Sequence, residues 1–266
     1  MSHLLPKMSI TTVTYGQGLT NPRHLAFQPK TDCMYVVEDS TKEVWCFVQQ
    51  QTQPYKRIAT GLTAPNGMVF SKEGDLLVVD YNDGVVIQIV DDQASVVICG
   101  LKNPYGIAVD ADGHVIVADA GNEAVKVFSP DDYSLKYEFK LGFRPVDVAV
   151  QSSGRLVVLS YGGELVILDP KTGCRLHHHS SKYGTTVGLA VDLHNRIYVT
   201  QHHGKQLIVF DPELNPLGPV DGLPDLTMAW GLKAVGGGNK VMLYVAEQGR
   251  VSTFPIEFKP VLKNDV

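Results

Sequence analysis

The sequence predicts an all-β fold: a closed six-bladed β-propeller of four-stranded antiparallel blades, with the N-terminal strand completing the last blade. Three observations carry this reading. A unit of about 40 residues recurs along the chain. Every copy holds short apolar runs parted by Gly-, Asp- and Asn-rich turns. The last copy lacks a fourth run, while an unpaired run stands near the N-terminus.

A glycine-like position marks each copy, at His24, Gly67, Gly106, Asp147, Gly188 and Gly231, with spacings of 43, 39, 41, 41 and 43 residues. Copy one reads NPRHLAFQPKTDCMYVVEDSTKEVWCF and copy two APNGMVFSKEGDLLVVDYNDGVVIQI. Copy three, NPYGIAVDADGHVIVADAGNEAVKVF, is the most regular. Copies four and five, RPVDVAVQSSGRLVVLSYGGELVIL and TVGLAVDLHNRIYVTQHHGKQLIVF, keep the same order of runs. Copy six, WGLKAVGGGNKVMLYVAEQGRVSTF, replaces the acidic turn by Gly236, Gly237 and Gly238. The runs are too short for helices and rich in the residues that fill strands, and the turns supply residues that tolerate positive φ. Almost no helix is expected.

Runs such as SVVICG (95–100) and LKYEFK (135–140) supply a fourth, outer strand. The last copy ends at TFPIEF (253–258), and SITTVTYG (9–16) is the run that would close the ring on it. Closure removes the exposed sheet edges of an open array. The predicted organisation is a tail at 1–7, one propeller over 8–258 and a tail at 259–266.

A chain of 266 residues with 44% hydrophobic and 19% charged residues can bury a substantial core. A net charge of −5 argues against a surface that grips nucleic acid throughout. Cys33, Cys46, Cys99 and Cys174 are widely spaced and read as reduced, buried structural thiols. The start, MSHLLPKMSITT, has no signal-peptide core and no run reaches the length of a membrane span, so a cytoplasmic location without membrane attachment is expected.

The pattern P-x-G-I-A-V-D-x-x-G-x-I-x-V-A-D-x-x-N-x-x-V-x-V-F, met almost position for position by Pro104 to Phe128, resembles the NHL repeat. That resemblance implies the propeller fold, and implies function far less because one fold hosts many functions. NHL propellers of tripartite-motif proteins recruit RNA or protein, and similar propellers occur in amidating lyases and gluconolactonase-like hydrolases. The RING, B-box and coiled-coil segments of tripartite-motif proteins have no match here, which leaves open an effector domain on a longer chain.

Repetition turns sequence positions into rings around one channel mouth. The residue before the glycine-like position gives Arg23, Asn66, Tyr105, Val146, Val187 and Trp230; the residue ending the second strand gives Glu38, Asp80, Asp119, Ser160, Gln201 and Glu247. The acids of the second ring are part of the repeat and are expected to receive backbone N–H bonds. The first ring is not dictated by the repeat. Arg23, Asn66, Tyr105 and Trp230, flanked by Tyr81, Arg144, Tyr161, His202 and His203, form the predicted ligand-binding face, because Tyr, Trp and Arg dominate binding hot spots. Packing that plugs the mouth is the second reading of the same rings. His24 and Asp147 place titratable groups where other copies have glycine; lying in opposite blades, they are expected to face one another across the channel.

The leading expectation is a non-catalytic module binding a protein or peptide on this face. Single-stranded RNA, met by aromatic stacking with Arg23, Lys42, Arg144, Lys205 and Arg250, is the second. The alternative class is a metal-assisted hydrolase or lyase, gluconolactonase-like or amidating-lyase-like, with its site in the mouth. The P-N-G at Pro65-Asn66-Gly67 resembles the gluconolactonase motif whose Asn helps hold a metal, but only Asn66 carries over. No cofactor is expected outside that alternative, which would need Ca or Zn; Asn66, Asp80, Asp119 and Glu247 are its weak candidates. His177, His178 and His179 belong to an outer edge run and read as solvated.

Overall fold

Six antiparallel sheets ring a central channel in a computed structural model that describes residues 7–8, 13–15 and 18–258, apart from 32, 49–50, 52, 60, 181–184, 203–205, 221–222 and 224–225. Five sheets run from an inner to an outer strand in chain order: Pro22–Phe27, Met34–Glu38, Glu43–Phe47 and Lys56–Ala59 form blade one. Blade two starts at Pro65–Phe70, blade three at Pro104–Val109, blade four at Pro145–Val150 and blade five at Thr186–Val191. Blade six is built of Gly231–Gly237, Lys240–Glu247 and Arg250–Glu257. The one helical turn among the described residues is the 3-10 turn Ala120–Asn122.

The ring closes as the repeat count requires. Val13, Thr14 and Tyr15 pair antiparallel with Thr253, Ser252 and Val251. Lys7 and Met8 extend the seam onto Glu257 and Ile256, so pairing begins within the segment expected to be tail. The rest of the expected tails, 1–6 and 259–266, lies outside the described residues.

The core is distributed rather than central. Six apolar clusters sit one between each pair of neighbouring blades. Between blades one and two, for example, Val37, Val44 and Ile58 meet Met68, Phe70 and Ile89. Middle strands such as Leu76–Asp80 and Val115–Asp119 are therefore buried on both faces. That explains why these runs are continuously apolar, where a one-sided antiparallel strand would alternate. The outer strands do face solvent: Gln93–Ile98 and Leu135–Lys140 are mostly exposed. Of the four cysteines expected to be buried, the fold buries only Cys46, while Cys99 and Cys174 are exposed because they lie at the ends of outer strands. His177–His179 lie in such a strand, Arg175–Ser180, where His178 bonds Glu164 and His179 packs edge-on against Phe210.

Each inner strand of blades one to five carries a register shift just where the repeat places its glycine-like residue, as between Pro65 and Met68 or Pro145 and Asp147. Such bulges bend a strand and re-aim its side chains. Blade six pairs Gly231 through Gly237 with Ala246 through Lys240 without a shift. At this level the inner strands converge so closely that a Cβ on Gly67 would stand 2.4 Å from the Tyr105 carbonyl oxygen, and one on Gly231 2.8 Å from the His24 Cα. Glycine is required there by close backbone approach.

Candidate functional site at the channel mouth

The loops leading into the inner strands and the loops joining second and third strands open on one face. The acids ending the second strands hold this face together. Glu38 is fully buried and accepts the N–H groups of Thr20, Asn21 and Ser40. Asp80 accepts those of Thr63, Ala64, Asn82 and Asp83 at 2.6, 3.3, 2.9 and 3.1 Å. Burial alone would raise the Asp80 carboxyl, but these N–H groups and the Thr63 hydroxyl outweigh it and hold it below the ordinary carboxylate range. Asp119 takes the Lys102 N–H, the Asn122 amide and the Lys126 ammonium. Glu247 takes the Thr227 N–H, the Arg250 guanidinium and the Ser252 hydroxyl. These oxygens clamp each loop to the blade and face donors.

Above them the first ring assembles. Asp39 accepts Arg23 through Nε and Nη2 at 3.2 and 2.9 Å, and also binds the Lys42 ammonium. Burial would raise Asp39, but Lys42 and Arg23 more than offset it and the carboxyl sits low. So fixed, the Arg23 guanidinium lies 4.0 Å over the Trp230 ring. His202 also packs against Trp230, ring centroids 4.1 Å apart and tilted by 52°. The sequence reading placed His202 at the surface; it is 4% exposed, with Nδ1 3.3 Å from the Ala229 carbonyl oxygen. Its role is to support the indole. Trp230 Nε1 is buried without a hydrogen-bond partner, an unmet donor at the edge of the site.

Across the mouth, Tyr81 and Tyr105 meet edge to face at 4.9 Å. Burial and the neighbouring Tyr81 raise the Tyr105 phenol, while Arg23 and Arg144 pull it back, which places both guanidinium groups near its oxygen. Asn66, Tyr105, Val146, Val187 and Trp230 enclose a small pocket floored by His24 and Asp147. Val146 and Val187 are buried and close one side of the ring. Tyr161 stands half exposed on the same rim, and Arg144 is exposed. His203 and Lys205 lie outside the described residues.

His24 and Asp147 do not bond each other. Each reaches sideways to the next blade: His24 Nδ1 accepts the Met68 N–H at 3.4 Å, and Asp147 Oδ2 accepts that of Leu189 at 3.0 Å. Asp147 Oδ1 takes the Val148 N–H at 2.9 Å. Both line the channel without touching, and each also bonds locally: an inner strand is an edge strand whose N–H groups lack a ladder partner, and these side chains supply one. Burial lowers His24 to about 4, helped by Lys233, and raises Asp147 to about 7 against the pull of its two N–H bonds and Lys233.

Lys233 was not among the residues singled out from the sequence. The signal was present: two positions past the glycine-like residue the copies read Ala26, Val69, Ala108, Ala149, Ala190 and Lys233, one cation in a ring of small apolar side chains.

Residues 101–128 match the NHL repeat family model. No curated protein matches the chain. Among solved structures, a gluconolactonase from Xanthomonas campestris aligns at 14% identity and TM-score 0.77, covering 95% of each chain. A streptogramin B lyase aligns at 10% identity and TM-score 0.72, covering 93% of this chain and 98% of that one. Virginiamycin B lyase from Staphylococcus aureus gives 10% identity and TM-score 0.70, with 93% and 99% covered. At these identities the likeness speaks to fold, and it spans nearly the full length of both partners. The chain is a six-bladed β-propeller that carries an NHL repeat in its third blade.

Proposed function

We propose that this propeller is a hydrolase or lyase acting on a small oxygen-rich organic molecule at the channel mouth, a lactone-type ester being the favoured class. The observation that carries this is the Arg23 guanidinium, fixed by Asp39 and stacked on Trp230, at a mouth that also holds the paired Tyr81–Tyr105 and a small pocket. Arg23 Nη1 bonds none of the described residues and is free to meet a carbonyl oxygen. The unmet Trp230 Nε1 donor offers one more hydrogen bond, and the Tyr105 hydroxyl, paired with Tyr81, can turn its proton to a bound oxygen. Fixed donors aimed where negative charge develops are the largest single contribution in acyl chemistry. The likeness to a gluconolactonase and to two lyases supports a small-molecule reaction over a recruiting scaffold.

A divalent metal does not fit this mouth. Of the ring residues only the Asn66 amide oxygen is a suitable ligand, its neighbours are a guanidinium, an indole and two valines, and the nearby carboxylates Asp80, Asp119 and Glu247 already face donors. The reading therefore routes no step through a metal. Its roles are Arg23 and Tyr105 as oxygen-binding donors, Trp230 as the stacking platform and Asn66 as an orienting amide.

The test is ring opening of a panel of sugar and aliphatic lactones, followed as acid release. Arg23→Ala and Tyr105→Phe should each cut kcat/KM at least 100-fold with the Tm held within a few degrees. A panel that opens no faster with wild type than with Arg23→Ala overturns the reading. A second reading, a peptide partner, is favoured by half-exposed Tyr161 on the same rim beside exposed Arg144. It requires that Tyr161→Ala weaken partner capture while leaving lactone turnover intact.

A further inference from the structure

Three departures from the repeat pattern converge below the mouth. His24 and Asp147 replace glycine in one ring, and Lys233 replaces Ala or Val in the next. All three line one chamber of about 140 Å³ in the channel, otherwise walled by apolar groups such as Val69, Ala108, Ala149 and Ala190. The fold asks for none of them, since the other copies build the same strands with Gly, Ala and Val. Asp147 is buried, His24 half-buried and Lys233 exposed along the channel, so polar groups stand in an apolar chamber where a bound partner can answer them.

The hydrogen-bond inventory says what would answer them. Lys233 sits deep in the ring with its surface open to the chamber, and its ammonium bonds none of the described residues. It carries three donors and no acceptor. His24 accepts at Nδ1, so its neutral ring carries the proton on Nε2, a further donor. Both Asp147 oxygens already accept backbone N–H groups. The chamber is rich in donors, short of acceptors and apolar along its sides.

We propose that the channel chamber is a binding site for a short aliphatic carboxylate, its two oxygens held by the Lys233 ammonium and His24 Nε2 and its alkyl part lying against Val69, Ala108, Ala149 and Ala190. The size agrees. A volume of about 140 Å³ corresponds to between four and five waters at roughly 30 Å³ each, which admits acetate, propionate or butyrate. This site is separate from the mouth and uses none of its oxygen-binding residues.

The charges make uptake depend on pH. The described titratable groups facing the chamber are His24 from blade one, Asp147 from blade four and Lys233 from blade six; blades two, three and five contribute apolar side chains. As pH falls through about 7, Asp147 gains its proton and ceases to compete for the ammonium. Carboxylate affinity should rise accordingly, while His24 stays neutral until about pH 4.

The experiment titrates the full-length protein with 13C-acetate, propionate and butyrate at constant ionic strength in chloride, read by NMR line broadening and by calorimetry. Wild type should bind one equivalent, more tightly at pH 6 than at pH 8. Lys233→Ala, the residue four other copies carry at that position, should fold normally and bind at least tenfold more weakly, with lactone ring opening unchanged. Binding that Lys233→Ala leaves intact, or that chloride displaces at equal concentration, overturns the proposal, as does a chamber holding water only. Because acetate binding is read without turnover, failure of the mouth reading leaves this result standing.

Discussion

At the scale of single residues, the channel holds two oppositely displaced acids and bases whose effects on stability counteract. Asp147 is raised from 3.8 to about 7, so the folded state prefers its neutral carboxyl. That contribution is complete below the unfolded value and is lost as pH rises through 7. His24 is lowered from 6.5 to about 4, so its contribution is present above 6.5 and lost as pH falls through 4. Between pH 4 and 6.5 the folded protein binds an extra proton at one site and lacks one at the other. Asp147→Asn removes one side of this balance. In buffers free of carboxylates, denaturation of that variant should show stability climbing with pH across this window, against a flatter wild type. Equal slopes would mean that Asp147 is not displaced. Asp80 acts differently: four N–H groups of partly exposed loops converge on it, and Asp80→Ala leaves them to solvent. At a net ~0.5–1.5 kcal/mol for a typical hydrogen bond and more for one to a charged group, a loss of about 2 kcal/mol is expected in urea denaturation. The acid ring was legible as repeat chemistry because an aspartate ending a strand before a turn has backbone donors within reach. His202 was misplaced because a sequence shows that a loop residue is near the mouth, not that Trp230 covers it.

At the scale of strands and blades, periodicity carried nearly everything. Run lengths gave the strands, and spacing gave the blades. What spacing does not give is the direction in which a bulged residue points. The shift at Pro145–Asp147 brings one Asp147 oxygen onto the Leu189 N–H of blade five while the side chain still lines the channel. Lys233 is hard to read from the sequence for a related reason: blade six is the most divergent copy, and its repeat pattern is clear only as far as the glycine. Close approach of inner strands also predicts a sharp steric test. Gly67→Ala places a methyl 2.4 Å from a backbone oxygen that cannot swing away. Overpacking of this kind costs typically ~1–3 kcal/mol; circular dichroism melts should show it, whereas Gly100→Ala, with no heavy atom within 4 Å, pays only for its positive φ of 75°.

At the scale of the whole molecule, the seam between Val13–Tyr15 and Arg250–Glu257 is the one place where a blade is assembled from both ends of the chain. Removing residues 1–16 would leave Arg250–Glu257 as a bare sheet edge and unlock the ring. A lowered melting temperature and concentration-dependent association are expected on size-exclusion chromatography; a truncated chain that melts and elutes as the full one does would show that the six blade interfaces alone hold the ring.

The seam also sets the order of events during folding. Pairing within a blade joins residues a few to a few tens of positions apart, so each blade can form from local contacts. Pairing Thr14 with Ser252 waits for nearly the whole chain. Loop-closure entropy grows with the length enclosed, and non-local contacts slow the search. The N-terminal strand is thus made first on the ribosome and placed last, and a permuted chain cut between two blades would exchange that long wait for a local hairpin.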